Sequence, residues 1–262
     1  MTLKPQHELS NSILFALAAT LTGLMAFLAL SLVFAKQSVE RRGVERAFLA
    51  NKQRALSFYK VFSAAYDFLN PPFYTEEMRN EILQLIGDRP GLHVLDVGCG
   101  TGYTTTGILN RTNVSEVIGV DMNPVQLNKA KKKHAHTQKS RAAFSRGDAE
   151  KLPFKSESFD AVISVGAIEY FPDPAAALKE IARVTKPGGA VVVGGPELGW
   201  FRQFALDKFF YTPSTGEVQG LFRGAGLGGV KSALIGVNTV FGTGRYVFVV
   251  EGTKNNPSQA DV

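Results

Sequence analysis

Short apolar runs alternate with amphipathic stretches through the middle of the chain. Residues 93–97 and 116–121 are predicted to be buried strands, and 103–111 is predicted to be the helix between them. A further strand is expected at 158–164, and a helix over 177–184 leads through a turn into a strand at 190–193. This alternation predicts an α/β fold with a mostly parallel sheet covered on both faces.

A longer apolar run lies near the start of the chain, where residues 13–35 contain no charged side chain. At ~1.5 Å per residue a helix of this length crosses a hydrocarbon core of ~30 Å, so we predict a transmembrane helix. A cleaved signal peptide is the alternative, because Val33-Phe34-Ala35 fits a small-residue cleavage site. Against it, the run exceeds an ordinary ~7–15-residue signal core, and only Lys4 precedes it as a clear cation.

The charge pattern then predicts how the chain is arranged around that helix. Cations favour the cytoplasmic side of a membrane, so the remainder of the chain is expected there, as a single-pass membrane protein. With 45% apolar residues, that remainder is sufficient for one full core. The cations that follow the apolar run are Lys36, Arg41, Arg42, Arg46, Lys52 and Arg54. The predicted segments are an N-terminal tail (1–12), the span (13–35), a basic linker helix (36–57), one domain (58–253) and a disordered tail (254–262).

Basic residues also bear on possible partners. Part of the net charge of +6 lies in Lys129, Lys131, Lys132 and Lys133. These lysines fit two interpretations equally well, namely attraction to anionic lipid and the solvated face of an ordinary helix. Nucleic acid is a poor fit, because no basic strand is rich in aromatic residues. Membrane lipid is therefore an expected partner of the chain. The sequence does not predict an oligomeric state.

A glycine turn follows the first strand, with Asp96 two residues before the first glycine. Gly98, Gly100 and Gly102 allow positive φ and close approach of a ligand to the backbone, and the next helix points its N-terminus there. Position 103 is Tyr, so the G-x-G-x-x-G pattern of dinucleotide enzymes is not met. The spacing favours S-adenosylmethionine over NAD, with a ligand-free strand-to-helix turn as the alternative.

Two further acids follow strands in the order that such a cofactor requires. Asp121 ends the second strand about 20 residues after the glycines, where a carboxylate grips a ribose diol. Asp148 ends another predicted strand beside apolar neighbours, which suits the exocyclic amine of an adenine ring. The predicted cofactor site also includes Asp96, Met122, Ala149 and Val165.

Taken together, the segments VLDVGCGTG, VIGVDMNP, GDAEKLPF, FDAVIS and RVTKPGG resemble the class I S-adenosylmethionine-dependent methyltransferases over about residues 58–253. Residues 58–67, 103–108 and 166–174 are similar to the 2-methyl-6-phytylbenzoquinol methyltransferases of tocopherol and plastoquinone synthesis. The resemblance implies a prenyl-quinol as the methyl acceptor. In the plant members the membrane anchor follows the catalytic domain, whereas the apolar run here precedes it, so the particular quinol stays open.

The resemblance also implies a Rossmann-like sheet of seven strands. Residues 230–240 and 246–251, around Gly242-Thr243-Gly244, are expected to form the hairpin that completes it. Tyr59, Tyr66 and Trp200 lie in aromatic-rich regions that flank the core, and we predict contacts with the lipid tail of the substrate. Packing of a lid helix on the sheet is the alternative reading of these aromatic residues.

Methyl transfer from a sulfonium depends mainly on alignment, which supplies ~7–11 kcal/mol. Methylation of a ring carbon also gains from a base that removes a phenolic proton. Glu169 and Tyr170 follow the fourth strand, where open α/β sheets place their ligand crevice, and they are the predicted catalytic residues. Glu169 is expected to be a base or to orient a hydroxyl, with a structural role equally open.

The remaining residues exclude other chemistries or leave alternatives. Cys99 is the single cysteine, so an intramolecular disulfide is impossible, and no spacing of His or Cys predicts a metal site.

Two alternative functions remain. One is methylation of another lipophilic acceptor, such as a phospholipid amine or an alkyl thiol. The other is a membrane assembly factor that binds S-adenosylmethionine without catalysis.

Overall fold

The computed structural model describes residues 51–54, 56–57, 76–86, 90–111, 113–135, 141–196, 213–239 and 242–255. Several predictions lie outside these residues, namely the tail at 1–12, the span at 13–35, most of the linker helix, and the substrate residues Tyr59, Tyr66 and Trp200. Among the helices that the structure does describe, none is long and apolar enough to cross a membrane.

A seven-stranded sheet organises the described chain, with the strand order β3-β2-β1-β4-β5-β7-β6. Its strands are β1 (His93–Val97), β2 (Glu116–Asp121), β3 (Ala142–Arg146), β4 (Phe159–Val165), β5 (Thr185–Pro196), β6 (Leu227–Thr239) and β7 (Gly242–Lys254). The helices are α1 (Glu76–Ile86), α2 (Tyr103–Arg111), α3 (Pro124–Ala135), α4 (Pro174–Val184) and α5 (Thr215–Gly224), with a 3₁₀ helix at Ile168–Tyr170. The predicted α/β fold with seven strands is confirmed.

The sheet is mixed rather than wholly parallel. The first five strands pair in parallel, whereas β7 runs antiparallel to both β5 and β6. A hairpin produces this reversal because its two strands are joined by a short turn, while parallel neighbours need a crossover helix. The parallel arrangement that the sequence predicts therefore holds for β1 to β5.

The predicted bounds of β5, β6 and β7 are wrong. The hairpin strands extend further than expected, because Gly242 pairs with Thr239 and Gly244 with Val237, so these glycines belong to the ladder and not to the turn. Strand β5 begins at Thr185 rather than at residue 190. The turn sequence Lys186-Pro187-Gly188-Gly189 lies inside β5, at an irregularity in the pairing with β4.

Apolar residues on opposite faces of the sheet build two separate core layers. Leu95 of β1 packs in the cluster that contains Leu178 of α4 and Phe222 of α5. Val94, the neighbour of Leu95, packs in the cluster that contains Ile82 of α1. This alternation along β1 is the two-residue period of a strand covered on both faces, and it leaves the carboxyl ends of the parallel strands open for a site.

Candidate functional site

A cleft lies at the carboxyl ends of β1, β2, β3 and β4, where open α/β sheets bind their ligands. Most of the predicted site residues that the structure describes line this cleft together, namely Gly98, Gly100, Asp121, Met122, Asp148, Ala149 and Tyr170. Asp96, Gly102, Val165 and Glu169 do not line it, although Gly166 and Ala167, which follow Val165, do.

The glycine turn forms one wall of the cleft and requires glycine on steric grounds. Gly98 has φ 73° and Gly100 has φ 53°, in the left-handed region that side chains disfavour. A Cβ atom added to Gly98 would overlap with the side chain of Ala167. The backbone N–H of Gly98 donates to the carbonyl of Val120 at 2.8 Å, which fixes the turn against the end of β2.

Gly102 has a different environment from the other two glycines. It has φ 76°, and an added Cβ would lie 3.0 Å from the His134 ring, 3.2 Å from the Phe144 ring and 3.3 Å from Cβ of Ala130. These neighbours belong to α3 and β3. Gly102 therefore allows the start of α2 to pack closely on the domain, away from the cleft.

Asp96 lies behind the turn, with 1% of its surface exposed. The Thr105 hydroxyl donates to its carboxylate at 2.6 Å. Burial and, to a smaller extent, the charge of Asp121 raise the pKa of Asp96 to about 7, against the lowering effect of the Thr105 hydrogen bond. Asp96 thus ties β1 to α2 from behind the turn.

Asp121 is held by two backbone amides. Its Oδ2 accepts from the N–H of Gly100 at 2.9 Å, and its Oδ1 accepts from the N–H of Asn123 at 2.7 Å. Burial raises the pKa of Asp121, and the hydrogen bonds from Asn123 and Gly100 oppose that rise. Each oxygen keeps a further lone pair, so a carboxylate fixed in this way at the cleft fits the two hydroxyls of a ribose.

Asn123 and Gln126 also line the cleft, and sequence reasoning did not identify them. Each is 5% exposed, and neither Nδ2 of Asn123 nor Oε1 of Gln126 has a hydrogen-bond partner within the described chain. Unpaired buried polar atoms are costly, so this cleft fits a ligand rich in hydroxyl and amino groups. The signal available in the sequence is the helix start Asn123-Pro124, which turns the first residues of α3 toward the glycine turn.

Asp148 and Glu150 lie at the end of the cleft where the sequence predicts that adenine binds, and both contact a lysine that was not predicted in the site. Nζ of Lys52 lies 2.6 Å from Oδ2 of Asp148 and 2.7 Å from Oε2 of Glu150. Burial lowers the pKa of Lys52, but the hydrogen bonds to Asp148 and Glu150 outweigh it and raise the pKa overall. No local sequence signal links Lys52 to residues 96 and 98 positions away.

Glu169 lies beside the cleft in the 3₁₀ helix that follows β4. It is 2% exposed, and neither carboxylate oxygen has a hydrogen-bond partner among the described residues. A Cβ added to Gly195 of β5 would lie 2.7 Å from Oε1, so the carboxylate faces β5. Burial raises the pKa of Glu169 to about 8, which leaves a mostly protonated acid at neutral pH. Its neighbour Tyr170 lines the cleft itself.

The described residues contain no group of three or more His, Cys, Asp or Glu that could hold a metal ion. Cys99, inside the glycine turn, is buried and reduced. Burial raises the pKa of its thiol, and the charges of Asp96 and Asp121 raise it further. A thiol in these surroundings is a packing group and not a nucleophile.

Residues 95–193 match the family model described as a methyltransferase domain. The chain is 37% identical over 209 residues to 2-methyl-6-phytyl-1,4-hydroquinone methyltransferase 2, chloroplastic, of Oryza sativa subsp. japonica, covering 78% of this chain and 59% of the relative. It is 35% identical over 177 residues to the demethylmenaquinone methyltransferase of Staphylococcus aureus, covering 64% of this chain and 73% of that protein. This chain thus spans about three-fifths of the rice protein's length.

A solved structure agrees with the fold. The phosphoethanolamine N-methyltransferase 2 of Haemonchus contortus, in complex with S-adenosyl-L-methionine, superimposes with a TM-score of 0.62 at 16% identity, covering 80% of this chain and 59% of that chain. At this identity the likeness concerns the fold alone.

Proposed function

Because the chain belongs to the S-adenosylmethionine-dependent methyltransferase family, we propose that it transfers a methyl group from S-adenosylmethionine to a ring carbon of a prenylated benzoquinol or naphthoquinol. The observation that carries the cofactor assignment is the fixed Asp121 carboxylate, placed opposite the glycine turn with unpaired polar atoms of Asn123 and Gln126 beside it. The acceptor assignment rests on the quinol substrates in the names of the rice and staphylococcal relatives.

The residues of the cleft have separate tasks in this proposal. Asp121 holds the ribose and Asp148 the adenine amine. Gly98 and Gly100 bring bare backbone close to the cofactor, whose sulfonium supplies an activated methyl group. The chain's main contribution is then alignment of the acceptor ring with the methyl group, worth ~7–11 kcal/mol.

Glu169 and Tyr170 would act on the acceptor. In its ionised form the Glu169 carboxyl, which has no hydrogen-bond partner among the described residues, would receive the phenolic proton. This would enrich the ring carbon in electrons, so that the methyl group would pass to it from the sulfur. The proton of the methylated carbon would go to solvent as the ring regains aromaticity, and the Glu169 carboxylic acid would return its proton to the phenolate oxygen. A base whose pKa is about 8 is closer to a phenol in basicity than an ordinary carboxylate and is the better proton acceptor.

The membrane arrangement is part of the same proposal. The apolar run at 13–35 anchors the chain, and the basic residues after it place the catalytic domain on the cytoplasmic side, where S-adenosylmethionine is made. An anchored domain meets a lipophilic quinol at the membrane surface. Tyr59, Tyr66 and Trp200 are the proposed contacts of its tail.

The experiment is a competition among acceptors with methyl-labelled S-adenosylmethionine and the full-length chain in lipid nanodiscs. The acceptors are a prenylated benzoquinol, a demethylated naphthoquinol, phosphatidylethanolamine and a long-chain alkyl thiol. We expect label on the carbon of a quinol ring. Label only on the amine or thiol would overturn the quinol assignment, and cofactor binding without transfer to any acceptor would assign the chain to binding alone.

A further inference from the structure

The helical segment that contains Lys52 and Leu56 lies against the cleft, although the sequence assigns it to the linker and begins the domain at residue 58. Lys52 and Leu56 both line the cleft. The two residues are four positions apart, which places them on the same face of a helix. The segment therefore presents one face, with a cation and an apolar side chain, to the cleft.

The start of this segment is fixed locally. The side-chain Oδ1 of Asn51 accepts from the N–H groups of Gln53 and Arg54, both at 3.1 Å, as a helix N-cap does. Lys52 then falls in the first turn, where the helix dipole disfavours a cation. Its contacts with two carboxylates offset this unfavourable position and give the lysine a specific partner set.

The two acids that Lys52 contacts are themselves organised by the cleft wall. Oδ1 of Asp148 accepts from the N–H of Glu150 at 3.0 Å, and Oε1 of Glu150 accepts from the N–H of Asp173 at 2.9 Å. Each carboxylate thus uses one oxygen for the wall and the other for Lys52. The single positive charge of Lys52 also offsets part of the repulsion between the two carboxylates at this end of the cleft.

We propose that residues 51–54 and 56–57 are part of the cofactor site and that Lys52 is a positioning residue that clasps Asp148 and Glu150, holding this segment across the adenine end of the cleft. Bound cofactor then leaves when the clasp of Lys52, Asp148 and Glu150 opens. The inference rests on the proposed function, since it concerns the same cofactor. It moves the boundary of the working domain from residue 58 to residue 51.

The test measures binding and release of S-adenosylhomocysteine, by calorimetry and stopped-flow displacement, with the full-length chain in detergent. Lys52→Met keeps the aliphatic stem and removes the charge. We expect release about two- to fivefold faster, within the range for a partly exposed ion pair. Lys52→Arg keeps the cation and is expected to restore slow release. Lys155→Met, at an exposed lysine away from the cleft, is the matched control and should leave release unchanged.

A double-mutant cycle with Glu150→Gln shows whether the effect passes through the clasp, because Gln keeps the acceptor for the Asp173 amide. The double variant should release the ligand no faster than Lys52→Met alone. Low salt should slow release from the parent, and this salt dependence should disappear in Lys52→Met and in the double variant. Release from Lys52→Met at the parent's rate, or simple additivity in the cycle, would overturn the clasp alone. Failure of the parent to bind S-adenosylhomocysteine would overturn the clasp and the proposed function together.

Discussion

The carboxylate of Asp121 accepts a hydrogen bond from the backbone N–H of Gly100, with 2.9 Å between Oδ2 and the nitrogen. Its other oxygen accepts from the N–H of Asn123 at 2.7 Å. One side chain thereby connects the glycine turn after β1 with the loop between β2 and α3. The shape of the cleft and its charge at the proposed ribose position therefore depend on the same residue.

Replacing Asp121 with Asn tests this dual role, because Asn keeps the size and one carbonyl acceptor but loses the charge. Hydrogen bonds to charged groups contribute ~1.5–3 kcal/mol each, so the dissociation constant for S-adenosylmethionine should rise at least about tenfold. Calorimetry on the full-length chain measures it. Glu116→Gln, at the opposite end of β2, is the matched control. Unchanged affinity in Asp121→Asn would remove Asp121 from the cofactor site.

Local pattern was sufficient to predict the elements that carry the cofactor residues. The helix at Tyr103–Arg111 and the strand at Glu116–Asp121 agree with their predicted bounds. The helix begins directly after the glycine turn, and the strand is a short apolar run that ends in an acid. Asp121 and Asp148 could be placed at one edge because the carboxyl ends of neighbouring parallel strands meet there.

Long-range packing could not be predicted from the same pattern. The contact of Lys52 with Asp148 joins residues 96 positions apart, and no period in the sequence encodes it. Gly102 shares the spacing of the cleft glycines but packs against α3, since the backbone direction at the turn decides which side each glycine faces. The extension of β5 through Gly188, where φ is 74°, likewise depends on pairing with β4.

Gly119 is expected to be intolerant of any side chain. It lies buried in β2, and an added Cβ would be 2.7 Å from the Phe144 ring and 2.8 Å from Sγ of Cys99. Gly119→Ala should therefore lower the free energy of unfolding by ~1–3 kcal/mol, as overpacking does. Chemical denaturation followed by circular dichroism measures the change.

Gly220→Ala is the matched control for this prediction. Gly220 lies exposed in α5 with no neighbouring atom within 4 Å of an added Cβ, so alanine should raise the free energy of unfolding by ~0.5–1 kcal/mol. Equal effects of the two substitutions would contradict the packing that we describe around Gly119.

The membrane proposal predicts a change in extraction when the apolar run is removed. A chain beginning at Asn51 keeps Lys52 and loses residues 13–35, so it should be released from membranes by carbonate without detergent. The full-length chain should stay in the pellet under the same conditions. Retention of the shortened chain in the carbonate-washed membrane would show that the anchor lies elsewhere.

Glu169 should make stability depend on pH. Its pKa is about 8 in the folded chain against an ordinary 4.5, so the folded state keeps a proton that the unfolded state releases between these values. The free energy of unfolding should then fall as pH rises through this window, by at most ~1.4 kcal/mol per pH unit. Glu169→Gln has no carboxyl at this position and so lacks this pH dependence. Asp96, whose pKa is also raised, contributes equally to the parent and the variant, so the difference between the two proteins reports on Glu169.

Urea denaturation at pH 5, 6, 7 and 8 measures the difference between the parent and Glu169→Gln. The Gln variant should gain stability relative to the parent at each higher pH. If the free energy of unfolding changes with pH in the same way in both proteins, the Glu169 carboxyl titrates near its ordinary pKa. The buried environment without a hydrogen-bond partner that we describe for it would then be wrong.

The role of Glu169 in catalysis requires a kinetic measurement, because burial alone is compatible with a structural acid. If Glu169 takes the phenolic proton, the turnover of the parent should increase as pH rises toward about 8, where the carboxyl ionises. Glu169→Gln keeps the shape without the basicity, so turnover should fall by ~10²–10⁴ while the affinity for S-adenosylmethionine barely changes. Higher pH should partly restore the variant, since more of the quinol ionises in solution, and Glu116→Gln should retain the parent's profile. Turnover of Glu169→Gln within a few-fold of the parent, at neutral pH and saturating quinol, would assign Glu169 to structure and leave alignment as the source of catalysis.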